Sequence, residues 1–250
     1  MGPAGAACPL ACVVVWCLIL VWSCQDLPRR MRANTRIACV GDSITQGWPT
    51  GYPYPRQLEV MLDSSYAVMN FGFSGAYVLE HLEPPASMTS PYVSLEMYSS
   101  ALNSRPDMVF IMLGTNDARR QIVQQRTQEF ERDYASIISS FKSLQSRPKV
   151  YMLIPPPLYK DGTFGGMNQT VINELLPSLL RRTARANSLP PPIDVASAFR
   201  ERCPDVAENA CPWISQGLGG GDGCHPTSEG LAVIAQLVAA AVRSAAAETA

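Results

Sequence analysis

Two short segments near opposite ends of the chain carry the residue types that acyl transfer requires. The first, the tripeptide GDS, follows an apolar run and ends in Ser43, whose hydroxyl is inert at neutral pH unless a base takes its proton. The second, DGCHP at 222–226, holds His225 with Asp222 three residues earlier. A carboxylate at that spacing can fold back onto the second ring nitrogen, fix the tautomer and stabilise the imidazolium. We therefore predict Ser43 as nucleophile, His225 as its base and Asp222 as the acid that orients the imidazole.

Acyl transfer also needs hydrogen-bond donors aimed at the developing oxyanion, and the sequence offers three. Gly75 ends the segment NFGFSG and can present a backbone N–H with no side chain in the way. Asn116, in GTND, can present a side-chain amide. The backbone N–H of Ser43 is the third donor. We predict that Ser43, Gly75 and Asn116 form an oxyanion hole.

These segments need elements that bring them together, and the apolar pattern predicts five strands alternating with helices. The strands are predicted at Arg36–Val40, Tyr66–Phe71, Met108–Leu113, Lys149–Ile154 and Ile193–Val195. The helices are predicted at Tyr54–Leu62, Tyr92–Leu102, Thr127–Leu144, Asn168–Ala186 and Pro226–Val242. Apolar strands separated by helices indicate a parallel sheet covered on both faces, in one doubly wound α/β domain. In such a fold the functional loops follow the carboxyl ends of the strands, where GDS, NFGFSG and GTND lie.

Four blocks of this sequence resemble the ordered blocks of the GDSL/SGNH hydrolase family: GDSIT at 41–45, NFGFSG at 70–75, GTND at 114–117 and DGCHP at 222–226. The resemblance implies a flavodoxin-like three-layer α/β/α fold and ester hydrolysis without a metal or other cofactor. Ser43 matches the family's nucleophile, Asp222 and His225 its acid and base, and Ser43, Gly75 and Asn116 its oxyanion donors. Ile44 stands where the family's name has leucine, a swap of equal volume that leaves the chemistry unchanged.

Within that family the sequence is most similar to the sialate O-acetylesterase-like branch of carbohydrate esterases, through the run after the nucleophile and the prolines at 155–157. The resemblance implies a small-molecule or glycan ester as substrate, with a short acyl group such as acetyl. A lipase, phospholipase or thioesterase of the same family is the alternative. Four aromatic residues flank the site in sequence and are candidates for a sugar or acyl pocket or for packing: Trp48, Tyr52, Tyr54 and Trp213.

Charge and composition limit the other classes of function. Lys and Arg number 20 against 21 Asp and Glu, a net charge of −1, so the chain offers no basic field for a nucleic acid. With only two histidines, a multi-histidine metal site is excluded. A metal-dependent phosphoesterase that uses Asp42, Asn116, Asp117 and His225 stays open, although a two-metal centre usually needs more ligands. A non-catalytic carbohydrate-binding module on the same scaffold is the other alternative.

Residues 1–30 read as a targeting segment and residues 31–250 as the catalytic domain. Leu10–Trp22 is an apolar run, no charged side chain precedes Asp26, and arginines follow at 29, 30 and 32. This pattern fits a cleaved signal peptide, and the basic cluster after the run leaves a retained signal anchor open. Either reading predicts an exported domain, secreted or membrane-anchored, with the membrane involved only through this segment.

In an exported domain, paired cysteines are expected. Cys203 and Cys211 flank a loop and are the predicted pair. Cys39 lies in an apolar strand and is predicted to be a buried small residue, whereas Cys224 is predicted to have a disulfide or plain loop role. Asn168 begins a glycosylation sequon, which has meaning only if a eukaryote exports the chain.

Overall fold

The computed structural model describes residues 35–81, 90–119, 122–205, 211–215 and 222–248. The predicted leader, residues 1–30, lies outside the described residues.

Five parallel strands form one sheet, as predicted. They are β1 (Thr35–Gly41), β2 (Tyr66–Gly72), β3 (Met108–Met112), β4 (Lys149–Ile154) and β5 (Ile193–Asp194). Their order across the sheet is β2-β1-β3-β4-β5. Because β1 lies between β2 and β3, the chain reverses its direction of winding there, and a cleft for ligands forms at such a reversal.

The strands alternate their side chains between two buried cores. In β1, Ala38 and Val40 belong to one hydrophobic cluster, whereas Ile37 and Cys39 belong to the other. This period of two follows from the pleat, and it lets a fully apolar strand serve both faces. The sheet is therefore the middle layer of a three-layer α/β/α fold, and Cys39 is the buried small residue that was predicted.

Helices cover both faces of the sheet. One face carries α3 (Glu96–Asn103), α5 (Thr127–Lys142) and α7 (Leu176–Ala186). The other carries α2 (Tyr54–Met61), α8 (Val195–Arg202) and α9 (Ser228–Ala247). Three single turns complete the described helices: α1 (Ser43–Gln46), α4 (Ile122–Gln125) and α6 (Thr163–Gly166). Each long helix buries one apolar stripe on the sheet, which is where most helix stability in proteins originates.

Several predicted boundaries were wrong, for local reasons. The helix predicted at Tyr92–Leu102 is a 3₁₀ turn, Tyr92–Ser94, followed by α3, because Leu95 between them has extended backbone. The helix predicted at Asn168–Ala186 is interrupted near its start by a π-helical stretch, Val171–Leu175, which separates it from α7. Pro177 follows in the first turn of α7, and since a proline offers no N–H, the preceding turn is free to widen.

The chain's end also differs from prediction. The closing helix begins at Ser228 rather than Pro226, because Thr227 caps it by accepting a hydrogen bond from the Gly230 N–H. The fifth strand ends at Asp194, whose side chain caps α8 through the Ser197 N–H, so Val195 belongs to a helix that the sequence analysis did not predict.

Helix α9 is, within the described ranges, the one helix long and apolar enough to cross a membrane. Its apolar face packs in the core with Leu58 of α2 and Phe199 of α8. The buried residues recur along α9 at helical spacing, from Leu231 to Ala245. Packing against the sheet therefore accounts for its apolar character.

The register of the strands brings the predicted functional loops to one edge. Gly41, the last residue of β1, pairs with Gly72 of β2 and with Met112 of β3. The segments that follow these three residues therefore leave the sheet side by side.

Candidate active site

Ser43 lies in the tight turn that leaves β1. Asp42 caps this turn by accepting a hydrogen bond from the Ile44 N–H at 3.0 Å, and Gly47, with φ of 94°, ends it. A Cβ on Gly41 would lie 2.0 Å from Thr45 Oγ1 and 2.7 Å from the Met112 carbonyl, so only glycine allows the chain to turn so close to β3. The turn holds the Ser43 side chain at the carboxyl edge of the sheet.

The structure brings the two distant segments together. Ser43 Oγ lies 2.8 Å from His225 Nε2, and His225 Nδ1 lies 2.8 Å from Asp222 Oδ2. Both distances are those of hydrogen bonds. Ser43 is 7% exposed and His225 5% exposed, so the pair meets largely out of water. This is the serine–imidazole–carboxylate arrangement that the residue types predicted.

Asp222 is fixed by its own loop. Its Oδ1 accepts hydrogen bonds from the backbone N–H groups of Cys224 and His225, each at 2.8 Å, while Oδ2 faces the imidazole. Burial would raise the pKa of Asp222, but the hydrogen bonds from the His225 ring and from these two N–H groups outweigh it and hold the pKa below its usual value. Asp222 therefore stays ionised beside the imidazole.

The predicted oxyanion donors Gly75 and Asn116 lie in adjacent buried loops. Asn116 Nδ2 donates one hydrogen bond to the Ala76 carbonyl at 2.9 Å, which leaves its second N–H for another acceptor. Gly75 has a φ of 79°, a left-handed conformation that suits glycine. Within the described part of the chain, the structure gives the buried Gly75 N–H no acceptor.

The Gly75 loop is also tied to the nucleophile turn. Phe73 N–H donates to the Gly41 carbonyl at 3.0 Å, and Ser74 N–H donates to Gln46 Oε1 at 3.0 Å. Gly72 passes so close to this turn that a Cβ on it would lie 2.3 Å from the Gln46 nitrogen. These contacts fix the distance between the Ser43 and Gly75 N–H groups, as preorganised donors require.

Two further carboxyl groups, Asp42 and Asp117, brace the loops from inside. Asp117 accepts hydrogen bonds from the N–H groups of Val78 and Leu79 at 3.0 to 3.1 Å. Burial raises the pKa of Asp42 to about 6 and that of Asp117 to about 7, although hydrogen bonds from backbone N–H groups oppose the shift. Both carboxyl groups therefore hold the loops by accepting hydrogen bonds from backbone N–H groups.

Cys224 does not share the chemistry of its neighbour His225. Its side chain is buried in the hydrophobic cluster with α5 and α7, and it is a free thiol. Burial raises the pKa of this thiol well above its ordinary value, which keeps it neutral and unreactive. Of the two roles predicted for Cys224, a disulfide or a plain loop residue, the structure has the plain loop residue, with its side chain packed in the core.

A metal centre finds no support in the donor set. Asp42 and Asp117 point to backbone N–H groups, and Asn116 points to the Ala76 carbonyl. Among the residues that the structure describes, no three histidine, cysteine, aspartate or glutamate side chains are placed to hold a metal ion.

The candidate pocket residues separate into two groups. The Trp48 ring lies 4.5 Å from the His225 ring, centroid to centroid, and is 46% exposed. Tyr52 is exposed beside the same turn, and it remains a prediction as a pocket residue. Tyr54 is fully buried in the core, and Trp213 packs edge-to-face on Phe199 at 5.4 Å. For Tyr54 the packing alternative therefore holds, whereas Trp213, which is only partly buried, stays a prediction as a pocket residue.

The sequence analysis missed Phe164. Its ring stands perpendicular to the His225 ring at 5.0 Å and lies 6.1 Å from the Trp48 ring. The only signal was an aromatic residue in a glycine-rich stretch, DGTFGG, inside a loop with no periodic pattern. Phe164 has a φ of 45°, which is uncommon for a bulky residue and is typical of functional loops.

A disulfide joins Cys203 to Cys211, the predicted pair. It closes the loop between α8 and the segment that leads to Trp213. The Trp213 carbonyl accepts a hydrogen bond from Thr227 N–H at 2.9 Å, and the Ser215 N–H donates to the His225 carbonyl at 2.8 Å. The bridge therefore anchors a segment that holds the His225 loop from outside.

Comparison with known proteins shows the family to which this chain belongs. Residues 39–233 match the model of the GDSL-like lipase/acylhydrolase family. The chain belongs to this family, which confirms the family that the four sequence blocks resemble. A curated relative, an acetylxylan esterase from Xylanibacter ruminicola, is 26% identical over 240 residues, 88% of this chain. The chain spans 45% of that relative's length.

Solved structures share the fold. Est24, a carbohydrate acetylesterase from Sinorhizobium meliloti, has a TM-score of 0.65 at 21% identity and covers 84% of this chain and 99% of its own. The aryl esterase of M. smegmatis has a TM-score of 0.59 at 23% identity, with 84% and 99% covered. The predicted three-layer α/β/α fold is confirmed.

Proposed function

We propose that this protein is a serine esterase that hydrolyses short-chain esters, acetyl esters in particular, with Ser43, His225 and Asp222 as its catalytic residues. The single observation that carries the proposal is the chain of two hydrogen bonds, each 2.8 Å, from Ser43 Oγ through the imidazole to Asp222. This geometry lets the imidazole take the hydroxyl proton as the nucleophile attacks.

In the first half-reaction Ser43 Oγ attacks the ester carbonyl and its proton passes to His225 Nε2. Asp222 keeps the other ring nitrogen protonated and stabilises the imidazolium. The carbonyl oxygen becomes an oxyanion, which accepts hydrogen bonds from the N–H groups of Ser43 and Gly75 and from the Asn116 amide. As the bond to the alcohol oxygen breaks, His225 Nε2 returns the proton to that oxygen, and an acyl-serine and a free alcohol result.

In the second half-reaction water takes the place of the alcohol. His225 Nε2 removes a proton from the water as it attacks the acyl carbon, and the same donors hold the second oxyanion. The bond to Ser43 Oγ then breaks, and the imidazolium returns the proton to the serine. Acid is released and the enzyme regains its starting state.

The substrate class is proposed from two lines of support. The sequence has no long apolar lid segment, which favours a short acyl group over a lipid chain. An acetylxylan esterase and a carbohydrate acetylesterase are among its relatives, so we propose an acetyl group carried on a carbohydrate. An aryl esterase shares the fold as well, and an aryl ester is the second candidate.

Export of the domain is proposed with the function. The disulfide between Cys203 and Cys211 supports it, since such bonds persist in oxidising compartments. The apolar run of the leader, predicted as a signal peptide or an anchor, agrees with the same route.

Replacement of Ser43 by alanine is the direct test. We expect kcat for p-nitrophenyl acetate to fall at least about 10³-fold, because the variant keeps the oxyanion donors but loses the nucleophile. The measurement is steady-state hydrolysis, with circular dichroism to show that the fold is intact. Activity within tenfold of wild type would refute the role of Ser43.

The same assay decides the two other classes of function. A serine esterase is insensitive to EDTA, whereas a metal-dependent phosphoesterase loses its activity with the metal. A carbohydrate-binding module shows no turnover of p-nitrophenyl acetate at all.

A further inference from the structure

Two aromatic rings flank the imidazole of His225, and the catalytic cycle proposed above uses neither. Trp48 approaches at 4.5 Å and Phe164 at 5.0 Å between ring centroids, and both meet the imidazole edge-on. Trp48 is 46% exposed and Phe164 is half-buried, so both rings present aromatic surface to solvent beside the imidazole. Ligand sites are lined mainly by apolar and aromatic side chains around a few placed polar groups.

The two rings come from separate elements, and each is tied to one part of the catalytic machinery. Trp48 follows α1, and its backbone N–H donates to the Ser43 carbonyl at 3.1 Å. Phe164 lies in α6, in the loop whose Tyr159 N–H donates to the Gly223 carbonyl at 2.7 Å, two residues before His225. These two hydrogen bonds tie Trp48 to the Ser43 turn and the Phe164 loop to the His225 loop. The rings therefore keep a fixed position relative to the reacting atoms.

The direction of proton transfer shows which part of the substrate the rings face. A general acid must lie within hydrogen-bond reach of the oxygen that it protonates, about 2.6 to 3.2 Å. The alcohol oxygen therefore lies against His225 Nε2, while the acyl carbonyl oxygen lies toward Gly75 and Asn116. Groups packed around the imidazole face the alcohol, and groups around the oxyanion donors face the acyl part.

We propose that Trp48 and Phe164 form the binding site for the alcohol part of the ester and select alcohols that present a flat, apolar ring face. This inference rests on the proposed esterase function. Pyranosides, with the C–H face of the sugar, and phenols share that shape, and aromatic rings bind such faces in offset or edge-to-face contact. The backbone of Phe164, in the left-handed region at φ of 45°, directs its ring to this position.

The test measures the preference for the alcohol part of the ester separately from the preference for the acyl part. One substrate series keeps the acetyl group and changes the alcohol: ethyl acetate, phenyl acetate and a monoacetylated methyl xyloside. The second keeps phenol and lengthens the acyl chain from acetate to butyrate and hexanoate. Trp48→Ala and Phe164→Leu remove one aromatic ring each, Trp48→Phe and Phe164→Tyr keep a ring, and Val60→Ala is the control at an exposed apolar residue on α2.

We expect each loss of a ring to lower the preference for ring alcohols over ethanol by about threefold to tenfold in kcat/KM, mainly through KM. Preference among acyl chains stays within about twofold, and Trp48→Phe and Phe164→Tyr retain the alcohol preference. Whether the xyloside or the phenyl ester loses more shows which ring alcohol the site fits better. Because the result is a ratio between substrates, a general loss of activity from a displaced imidazole does not affect it.

An unchanged alcohol preference, or an acyl-chain preference that shifts as much as the alcohol preference, overturns the proposal. Inhibition of the wild type gives a second measurement that needs no variant: phenol or methyl xyloside must compete with substrate at lower concentration than ethanol does, and equal inhibition overturns the proposal too. Failure of the esterase function has a different signature, which is activity retained in Ser43→Ala.

Discussion

At the scale of single residues, the Asp222 carboxylate is the part of the site whose role is least visible in a static structure. It contacts the imidazole at Nδ1, and in the proposed reaction this contact sets the tautomer of the ring. Its two backbone hydrogen bonds make its orientation independent of whether His225 is charged. In the proposed mechanism the carboxylate therefore acts only through the imidazole.

Asp222→Asn tests this role. The amide keeps the size of the side chain but removes the charge and favours the wrong tautomer, so we expect kcat to fall by about 10³ to 10⁴-fold. Asp63→Asn is the control, since Asp63 also accepts a hydrogen bond from a nearby backbone N–H, that of Ser65, on the exposed surface. A variant that keeps more than a tenth of the wild-type kcat contradicts the assignment.

The buried Asp117 makes stability depend on pH. Burial raises its pKa to about 7 in the folded state, above its value in an unfolded chain, so the folded state binds the proton more strongly. That stabilisation is complete below pH of about 4 and is lost as pH rises through about 7. At neutral pH, ionisation of this buried carboxyl group therefore lowers the free energy of unfolding.

Asp117→Asn should remove that dependence while it keeps an acceptor for the Val78 and Leu79 N–H groups. We expect the free energy of unfolding of the wild type, relative to the variant, to decrease by a few kcal/mol between about pH 4 and pH 7. Urea unfolding at several pH values measures it. Parallel curves for the two proteins would show that Asp117 does not titrate in this range.

At the scale of elements, the site depends on how closely β2 passes the nucleophile turn. Gly72 is in contact distance of that turn's backbone, where a Cβ would lie 2.3 Å from the Gln46 nitrogen and 2.7 Å from the Thr45 carbonyl carbon. Neither of these backbone atoms can move without moving Ser43.

Gly72→Ala should therefore lower stability by about 1 to 3 kcal/mol and lower kcat together, because the added methyl pushes α1 away from the Gly75 loop. Gly51→Ala serves as the comparison, since Gly51 has a positive φ of 69° but open space around it. Thermal unfolding and hydrolysis of p-nitrophenyl acetate are the measurements. Normal kcat in Gly72→Ala would mean that the turn tolerates the shift.

The elements also show what the sequence can and cannot predict. Ser43 was predictable because a short apolar run, a glycine and a polar residue mark the carboxyl end of a buried strand. The position of Phe164 was not, because it follows from a left-handed residue and from a hydrogen bond between two loops that are far apart in the chain. The interruption of the helix at Leu95 was not predictable either, because an apolar pattern with helical spacing continues through this residue.

At the scale of the whole molecule, one covalent link stabilises the outer side of the His225 loop. Cys203 and Cys211 close a loop with a sequence separation of 8. A loop of that size restricts the unfolded chain by about 2 to 3 kcal/mol in the chain-entropy account of disulfides.

The double variant Cys203→Ala/Cys211→Ala should accordingly lose about 2 to 3 kcal/mol of stability. Dithiothreitol should lower the melting temperature of the wild type and leave that of the double variant unchanged. The buried thiols of Cys39 and Cys224 provide the internal control, since reduction does not alter them. Equal sensitivity of both proteins to dithiothreitol would contradict the predicted stabilisation.

Ser43 and His225 are 182 positions apart in the chain. Both segments must therefore be synthesised before the Ser43 hydroxyl can meet the imidazole, and the His225 loop reaches its place only when α9, which follows it, has docked on the sheet. Contacts of such long range form slowly and late. The appearance of esterase activity during refolding therefore reports when the contact between Ser43 and His225 has formed. A chain in which this contact is absent has no base to activate the serine.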